Sequence, residues 1–313
     1  MRTVKVTRLY RLAENVMGIE LTAIDERPLP PFAAGDHLDL HLPNGLIRPY
    51  SLCNDPHETH RYCLGIALAN TSRGGSAYLH QQLQVGEQLT VGEPRSLFPL
   101  VPDAPRYRFI AGGIGITPIR SMILWCRRHG YLWHLDWFIR SHYPQSWLEP
   151  LAQEDNRVRI HTARPTRSED LATAMRAITP GEHIYCCGPE SLMEEVQSLA
   201  QAQQIPADRL HFERFTAGET ISEEEQAFDV ELQRSGGRYR VLPGISILET
   251  LEQNGVNLPF SCREGLCRSC EVTLLAGEAD HRDYVLSDEE RAANRSILIC
   301  VSRARSSTLV LDV

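Results

Sequence analysis

The segment Ser261-Cys262-Arg263-Glu264-Gly265-Leu266-Cys267-Arg268-Ser269-Cys270, with a further cysteine at position 300, decides the fold of the C-terminal part of this chain. The spacing C-x4-C-x2-C followed by one distant cysteine is that of a plant-type [2Fe–2S] cluster. A structural zinc site is the alternative, but such sites usually take paired C-x2-C knuckles, and only one such pair is present here. The sequence therefore favours a cluster held by Cys262, Cys267, Cys270 and Cys300, the last on a predicted strand over 296–301.

The composition indicates a folded chain of several domains. Its length of 313 residues predicts two or three domains, and 42% hydrophobic with 23% charged residues is typical of a folded protein. A formal net charge of −8 argues against a nucleic-acid partner. No apolar run has the length of about 18 residues that a membrane helix needs, and the start of the sequence alternates like a strand, unlike a signal peptide. Nine cysteines, an odd number, argue against a disulfide framework, so we expect a cytoplasmic protein without a membrane partner.

The order of predicted elements divides the chain into three domains. Residues 1–103 form short alternating strands separated by Pro, Gly and Asn turns, which is typical of an antiparallel barrel or sandwich. Residues 104–215 alternate strands with helices, which predicts a parallel sheet with a ligand crevice at the carboxyl ends of its strands. The polar and acidic residues 216–227 are the predicted linker. Residues 228–313 form the domain that contains the cysteine loop.

Two glycine-containing turns in the second domain each lie between a predicted strand and a predicted helix. The first runs from Gly112 to Pro118, and the second is Cys187-Gly188-Pro189. Glycine allows the backbone to approach a pyrophosphate, and a helix N-terminus supplies unpaired N–H groups. The G-x-G-x-x-G fingerprint is absent. Two such turns facing each other predict a dinucleotide site, with simple packing as the alternative for Cys187.

The first domain contains a candidate site for a planar ligand with a phosphate group. Arg48, Tyr50 and Ser51 share one predicted strand, and Ser72-Arg73-Gly74-Gly75-Ser76 precedes a predicted helix over 77–83. An arginine beside a glycine-rich helix start can bind a phosphate. Tyr50 can stack on a ring and Ser51 can donate a hydrogen bond to a ring nitrogen. A tyrosine in a barrel wall is the alternative.

Together these motifs resemble the phthalate dioxygenase reductase family, flavin and iron–sulfur reductases that serve Rieske-type oxygenases, in particular members that serve carnitine- or vanillate-type monooxygenases. The resemblance spans nearly the whole chain. It implies an antiparallel β-barrel flavin domain, a ferredoxin-reductase-like α/β parallel-sheet nucleotide domain and a C-terminal α+β β-grasp ferredoxin domain. Electrons would pass from NADH through FMN and the [2Fe–2S] cluster to a separate terminal oxygenase, the reductase being a monomer when free. FAD and NADPH are the alternative cofactors.

The resemblance also implies roles for individual residues. Alignment of the nicotinamide with the flavin is implied for Ser51, Thr117, Cys187 and Phe215. Glu213 is a further candidate, with a scaffold salt bridge as its alternative role. Arg140 follows the second strand of the nucleotide domain, where the adenosine ribose is recognised. The other implied cofactor-binding residues are Arg48, Tyr50, Gly74, Gly75 and Ser76 for the flavin, and Gly112, Gly113, Gly115, Gly188 and Pro189 for the nucleotide.

One residue departs from the family pattern, which commonly has glycine directly after the second ligand, whereas this chain has Arg268. A positive φ there would favour glycine. A cation beside the cluster is expected to raise its reduction potential, because the reduced cluster is more negative. Arg268 can also belong to a docking surface with Arg263 and Glu264, or be a solvated loop residue. Two other functions fit the residues: an oxidoreductase that reduces a different acceptor directly, and a zinc-bound interaction module.

Overall fold

The structure is a computed structural model that describes residues 1–25, 27–69, 74–139, 156–162, 167–215 and 225–313. Within these ranges the chain forms two compact units, Met1–Glu213 and Arg214–Val313, called here the first and the second unit. No helix in the described ranges has both the length and the apolar character that spanning a bilayer requires.

An antiparallel barrel forms the first part of the first unit. Its strands are β1 Arg2–Ala13, β2 Val16–Ala23, β3 Asp36–His41, β4 Ile47–Ser51, β5 Tyr62–Ala67, β6 Gln88–Val91 and β7 Arg95–Ser96, and its helix is α1 Gly75–Gln81. The strand order is β4-β3-β6-β1-β2-β5, with β7 paired to β3. A bridge between Leu52 and Leu64 joins the end of β4 to β5, so the sheet closes on itself. Because alternate residues such as Val4 and Val6 point inward, the barrel encloses its own apolar core.

A parallel sheet forms the rest of the first unit. Its strands are β8 Tyr107–Gly112, β9 Trp133–Phe138, β10 Val158–His161, β11 His183–Cys187 and β12 Leu210–Glu213, and its helices are α2 Ile116–His129, α3 Arg167–Arg176 and α4 Glu190–Ala202. The order β10-β9-β8-β11-β12 reverses between β8 and β11. Every residue of β8 is buried, as expected of a central parallel strand that is covered on both faces. The switch point therefore lies at the carboxyl ends of β8 and β11, where such sheets bind ligands.

The second unit is a β-grasp domain. Its strands are β13 Phe228–Leu232, β14 Arg238–Val241, β15 Glu271–Ala276, β16 Ala279–Asp280, β17 Ser296–Leu298, β18 Arg303–Ala304 and β19 Thr308–Leu311, and its helices are α5 Ile247–Gln253 and α6 Asp288–Ala293. The main sheet has the order β14-β13-β19-β15-β17, and β13 runs parallel to β19. Both helices begin with a Ser-x-x-Glu capping box, which satisfies backbone N–H groups at their first turns.

The structure corrects two local predictions and leaves the linker and the domain boundaries as predictions. The strand predicted over 296–301 ends at Leu298, and Cys300 lies in the following turn, where the Ile299 N–H donates to the Cys270 carbonyl. The helix predicted over 77–83 spans Gly75–Gln81. Most of the predicted linker lies outside the described residues, but Glu225 at its end is bound to Arg282 and to the Gly244 N–H within the second unit. The boundaries predicted at 103 and 227 stay interpretations, because the compact units divide only after Glu213.

Candidate redox site

The two glycine-containing turns lie against each other at the switch point. A β-carbon on Gly115 would lie 2.1 Å from the Cys187 carbonyl oxygen, and one on Gly188 would lie 2.8 Å from the Gly112 Cα. A β-carbon on Gly112 would lie 2.5 Å from the Pro189 Cδ. These contacts leave no room for side chains, so glycine is what permits the turns to meet. The starts of α2 and α4 are thereby brought together, which is the arrangement that binds a dinucleotide pyrophosphate.

Thr117 and Trp137 fix the first turn from within. Thr117 is buried, and its Oγ1 donates to the Ile114 carbonyl at 3.0 Å. The Trp137 Nε1 donates to the Gly113 carbonyl at 2.9 Å, and Gly113 has a φ of 53°. The Thr117 hydroxyl therefore serves the backbone of its own turn, and the contact with both cofactors implied by the resemblance stays a prediction.

The candidate flavin residues lie along β4 and at the start of α1. Arg48 and Tyr50 are half-buried, whereas Ser51 is buried. A β-carbon on Gly75 would lie 2.9 Å from the Arg48 Cγ, so the arginine crosses the first turn of α1 at a glycine. Gly74, which precedes the helix, has a φ of 95° that glycine adopts readily. The arginine and the helix start thus come together as a phosphate site requires.

Tyr50 and Ser76 also have defined surroundings, although Ser72, Arg73 and Arg140 lie outside the described residues. Burial raises the pKa of Tyr50 to about 12, so its phenol stays protonated at neutral pH. The Ser76 Oγ accepts a hydrogen bond of 3.2 Å from the Ala69 N–H, which ties the start of α1 back to the segment that follows β5.

Glu213 joins the barrel to the parallel sheet. It ends β12 beside Cys187 of β11, which in turn pairs with Ala111 of β8. Its carboxylate is hydrogen-bonded to Ser51, and its Oε2 is closed to solvent without a hydrogen-bond partner among the described residues. Burial raises the pKa of Glu213 to about 8, and the Ser51 bond opposes that rise. The carboxyl is therefore largely protonated at neutral pH, although the residue as a whole is only half-buried.

Cys187 is fully buried at the same place. Burial, followed by the nearby Glu213 and Cys186, holds the pKa of the Cys187 thiol well above its usual range. Ser51, Cys187 and Glu213 thus line one end of the crevice. In the sequence, Glu213 is a further candidate only through the family resemblance, with a scaffold salt bridge as its alternative role. In the described part of the chain its Oε2 has no hydrogen-bond partner, and the choice between a scaffold role and a role in aligning the cofactors stays a prediction.

Four buried thiols converge in the second unit. Cys262, Cys267, Cys270 and Cys300 are each no more than 8% exposed, and all nine cysteines of the chain are free. The N–H groups of Glu264 and Leu266 lie 3.3 Å and 3.4 Å from the Cys262 Sγ. Hydrogen bonds from the Cys267 and Cys300 thiols, and then from the backbone, lower the pKa of Cys262. A set of buried sulfurs with amides directed at one of them is the donor set that an iron–sulfur cluster requires.

Three further observations bear on the predicted metal site, on Arg268 and on Phe215. In the ranges that the structure describes, no group of three or more His, Cys, Asp or Glu side chains is arranged around a single-ion position. Arg268 is half-buried and ion-paired with Glu290, which argues against the alternative of a solvated loop residue. Phe215 belongs to the second unit and is 37% exposed, and its role as a flavin cover stays a prediction.

Comparison with known proteins identifies relatives over nearly the whole chain. Residues 230–305 match the model of the 2Fe-2S iron-sulfur cluster binding domain family. The carnitine monooxygenase reductase subunit of Escherichia coli (strain K12) is 41% identical over 99% of this chain and 98% of its own length. Tetrachlorobenzoquinone reductase of Sphingobium chlorophenolicum is 41% identical over 98% of this chain and 97% of its own length.

A solved structure extends the comparison to the whole fold. Phthalate dioxygenase reductase, described as a modular structure for electron transfer from pyridine nucleotides to [2Fe–2S], is 38% identical, with a TM-score of 0.76 over 99% of this chain and 97% of that one. The match confirms the fold class and the classes of cofactor predicted from the sequence, namely a pyridine nucleotide, a flavin and a [2Fe–2S] cluster. The chain belongs to the phthalate dioxygenase reductase family of NAD(P)H-dependent flavin and iron–sulfur oxidoreductases.

Proposed function

We propose that this protein is the reductase component of a two-component Rieske-type oxygenase and passes electrons from NADH to a separate terminal oxygenase. The observation that carries the proposal is the combination of two sites in one chain. Ser51, Cys187 and Glu213 meet where the barrel joins the parallel sheet, and four buried thiols form a cluster site in the second unit. The first arrangement suits hydride transfer to a flavin, and the second suits one-electron export. The relationship to a carnitine monooxygenase reductase supports an oxygenase as acceptor.

The chain's own residues position the reactants. Gly112, Gly115 and Gly188 let the backbone receive the nucleotide pyrophosphate, while Arg48 with the start of α1 binds the flavin phosphate. Glu213 holds a proton at its carboxyl next to Ser51 and excludes water from that end of the crevice. Bound flavin supplies the conversion of a two-electron hydride into the single electrons that the cluster carries.

A different acceptor is the second candidate function, because a quinone reductase is as similar to this chain as the carnitine enzyme's reductase is. A quinone can take electrons from the flavin or from the cluster. The two candidate functions therefore differ in whether a Rieske protein or a small molecule is reduced faster at equal concentration.

A comparison of acceptors, each supplied separately, tests the proposal. Purified holoprotein and NADH are mixed without oxygen with one acceptor at a time. The acceptors are a Rieske-type monooxygenase of the carnitine class, one of the vanillate class, and tetrachlorobenzoquinone. Reduction is followed as bleaching of the Rieske absorbance or as loss of the quinone. We expect saturable reduction of the Rieske protein. Reduction of the quinone alone, with no bleaching of either Rieske protein, would favour the second candidate function.

Three finer expectations accompany the proposal. We propose NADH over NADPH, which a comparison of kcat/KM for the two nucleotides measures. The free protein is proposed to be a monomer, which light scattering measures. Its location is proposed to be the cytoplasm, supported by nine free cysteines, since thiols persist in a reducing compartment.

A further inference from the structure

Two residues of the cysteine loop adopt left-handed backbone conformations although they are not glycines. Arg263 has a φ of 59° and Arg268 a φ of 55°. This region disfavours a residue with a β-carbon by roughly tenfold in an equilibrium constant. Each arginine directly follows a cluster ligand, Cys262 or Cys267. The loop therefore needs interactions that hold these two turns next to the sulfurs.

Each of the two arginines is bound by a glutamate from a different helix. The Arg263 Nη2 lies 2.5 Å from Oε1 of Glu252 in α5, and its guanidinium carbon lies 3.9 Å from the ring centre of Phe260. The Arg268 Nη2 lies 2.5 Å from Oε2 of Glu290 in α6, and its Nη1 lies 2.9 Å from Oε1. The second pair is therefore bidentate, which fixes orientation as well as charge.

The Arg268–Glu290 pair is also connected to the surrounding backbone. The Arg268 Nη2 donates to the Val285 carbonyl at 2.7 Å, and its Nη1 lies 3.5 Å from Glu271. Oε2 of Glu290 also accepts a hydrogen bond of 2.7 Å from the Ser287 N–H in the capping box of α6. One carboxylate thus joins the loop to the first turn of the helix. The arginine charge beside the cluster site is compensated by this glutamate and by Glu271.

We propose that Arg268 and Glu290 form an ionic clip that holds the loop after Cys267 in its left-handed turn and cancels the arginine charge beside the cluster. Arg263 and Glu252 form the corresponding clip after Cys262. Arg268 is thus a positioning residue that acts through Glu290. The clip controls how firmly the loop retains the cluster and contributes to the cluster's reduction potential. The role proposed for the clip needs a bound cluster but no oxygenase partner. The proposal therefore does not depend on which acceptor the protein reduces.

The substitution Glu290→Gln tests the clip, because glutamine can still serve in a capping box but carries no charge. We expect the cluster to be lost roughly threefold to tenfold faster, since the strained turn is no longer held. The reduction potential should rise, because a negative charge near a centre that gains an electron is removed. Arg268→Gly should retain the cluster at least as well as the original protein and should lower the potential. In that background Glu290→Gln should no longer speed cluster loss.

Glu289→Gln is the matched control, because it removes the same charge from the same helix while its carboxylate contacts Ser287. Cluster loss is measured as chelator-driven decay of visible absorbance, and the potential by spectroelectrochemical titration of the holoprotein. If Glu290→Gln does not fold, Arg268→Lys takes its place. It keeps the charge but not the bidentate geometry, and should lose the cluster faster than Arg268→Gly. Equal effects of Glu290→Gln and Glu289→Gln on both measurements, or an unchanged Glu290→Gln effect in the glycine background, would overturn the clip.

Discussion

Burial of the Glu213 carboxyl raises its pKa far above that of an ordinary glutamate. Its Oε2 has neither solvent nor a hydrogen-bond partner among the described residues, and its one hydrogen-bonding neighbour, Ser51, comes from the barrel. A carboxyl in such a place stays protonated unless another group supplies a compensating charge. The stability of the first unit should therefore depend on whether the Glu213 carboxyl is protonated.

Glu213→Gln should change the pH dependence of stability. The pKa is about 8 in the folded state against an ordinary 4.5, so the folded protein binds the proton more tightly. Stability is then greatest below about pH 4.5 and falls as pH rises to about 8, by on the order of 2 kcal/mol after allowance for partial exposure. The glutamine variant lacks this loss, so its melting temperature relative to the original protein should rise between pH 5 and 8.5.

Flavin release on heating reports unfolding of the first unit in this experiment. Glu14→Gln, on an exposed turn, is the control and should follow the original protein at every pH. A constant difference between Glu213→Gln and the original protein from pH 5 to 8.5 would show that Glu213 is already ionised in the folded state.

Gly115→Ala tests the contact between the two turns. The added methyl would lie 2.1 Å from a backbone oxygen, so the turns must separate, at a cost of about 3 kcal/mol and with a raised KM for NADH. Gly92→Ala is the control, because its nearest contact would be an ordinary 3.5 Å to Asp39. Thermal melting and steady-state kinetics measure both effects. Equal melting temperatures for the two variants would contradict the geometry of the crevice.

At the scale of elements, a buried charged group joins the strands of the parallel sheet. Arg108 of β8 is 4% exposed, and its guanidinium contacts Asp136 of β9 at 3.2 Å and Glu182, before β11, at 3.1 Å. Arg108→Met would remove the arginine from two buried carboxylates, leaving Asp136 with His161 and Glu182 with Thr179, and should cost about 3–5 kcal/mol. Arg8→Ala, which removes an exposed partner of Glu20, should cost less than about 1 kcal/mol. Thermal melting that ranks the two variants equally would contradict this description.

The elements themselves were largely predictable from sequence, but their side-chain partners were not. The mainly apolar β8 and the glycines that follow it predict a strand, a turn and a helix, because these signals are local. The cysteine spacing predicts the ligand set for the same reason. The partner of Arg268 is 22 residues away in α6, and the Ser51–Glu213 contact spans most of the first unit. Such pairs depend on how elements pack, which local patterns do not specify.

At the scale of the whole molecule, the chain separates two kinds of electron chemistry into two compact units, Met1–Glu213 and Arg214–Val313. The first unit contains the candidate nucleotide turns and the candidate flavin residues, and the second contains the four sulfurs. Each unit has its own apolar core. A change to the sulfurs should therefore leave hydride transfer in the first unit intact.

The most direct test of this account uses the flavin-loaded Cys270→Ser variant, which lacks one sulfur ligand and should therefore lose the cluster. It is mixed anaerobically with NADH in a stopped-flow instrument, and the Rieske acceptor is then added. Cys126→Ser, which alters a buried thiol of α2 outside both sites, is the control. We predict that Cys270→Ser bleaches its flavin at nearly the original rate, while reduction of the acceptor falls at least 100-fold, on the order of 3 kcal/mol in activation free energy. Acceptor reduction at the original rate without the cluster, or loss of flavin reduction in a folded variant, would contradict the proposed order of electron transfer.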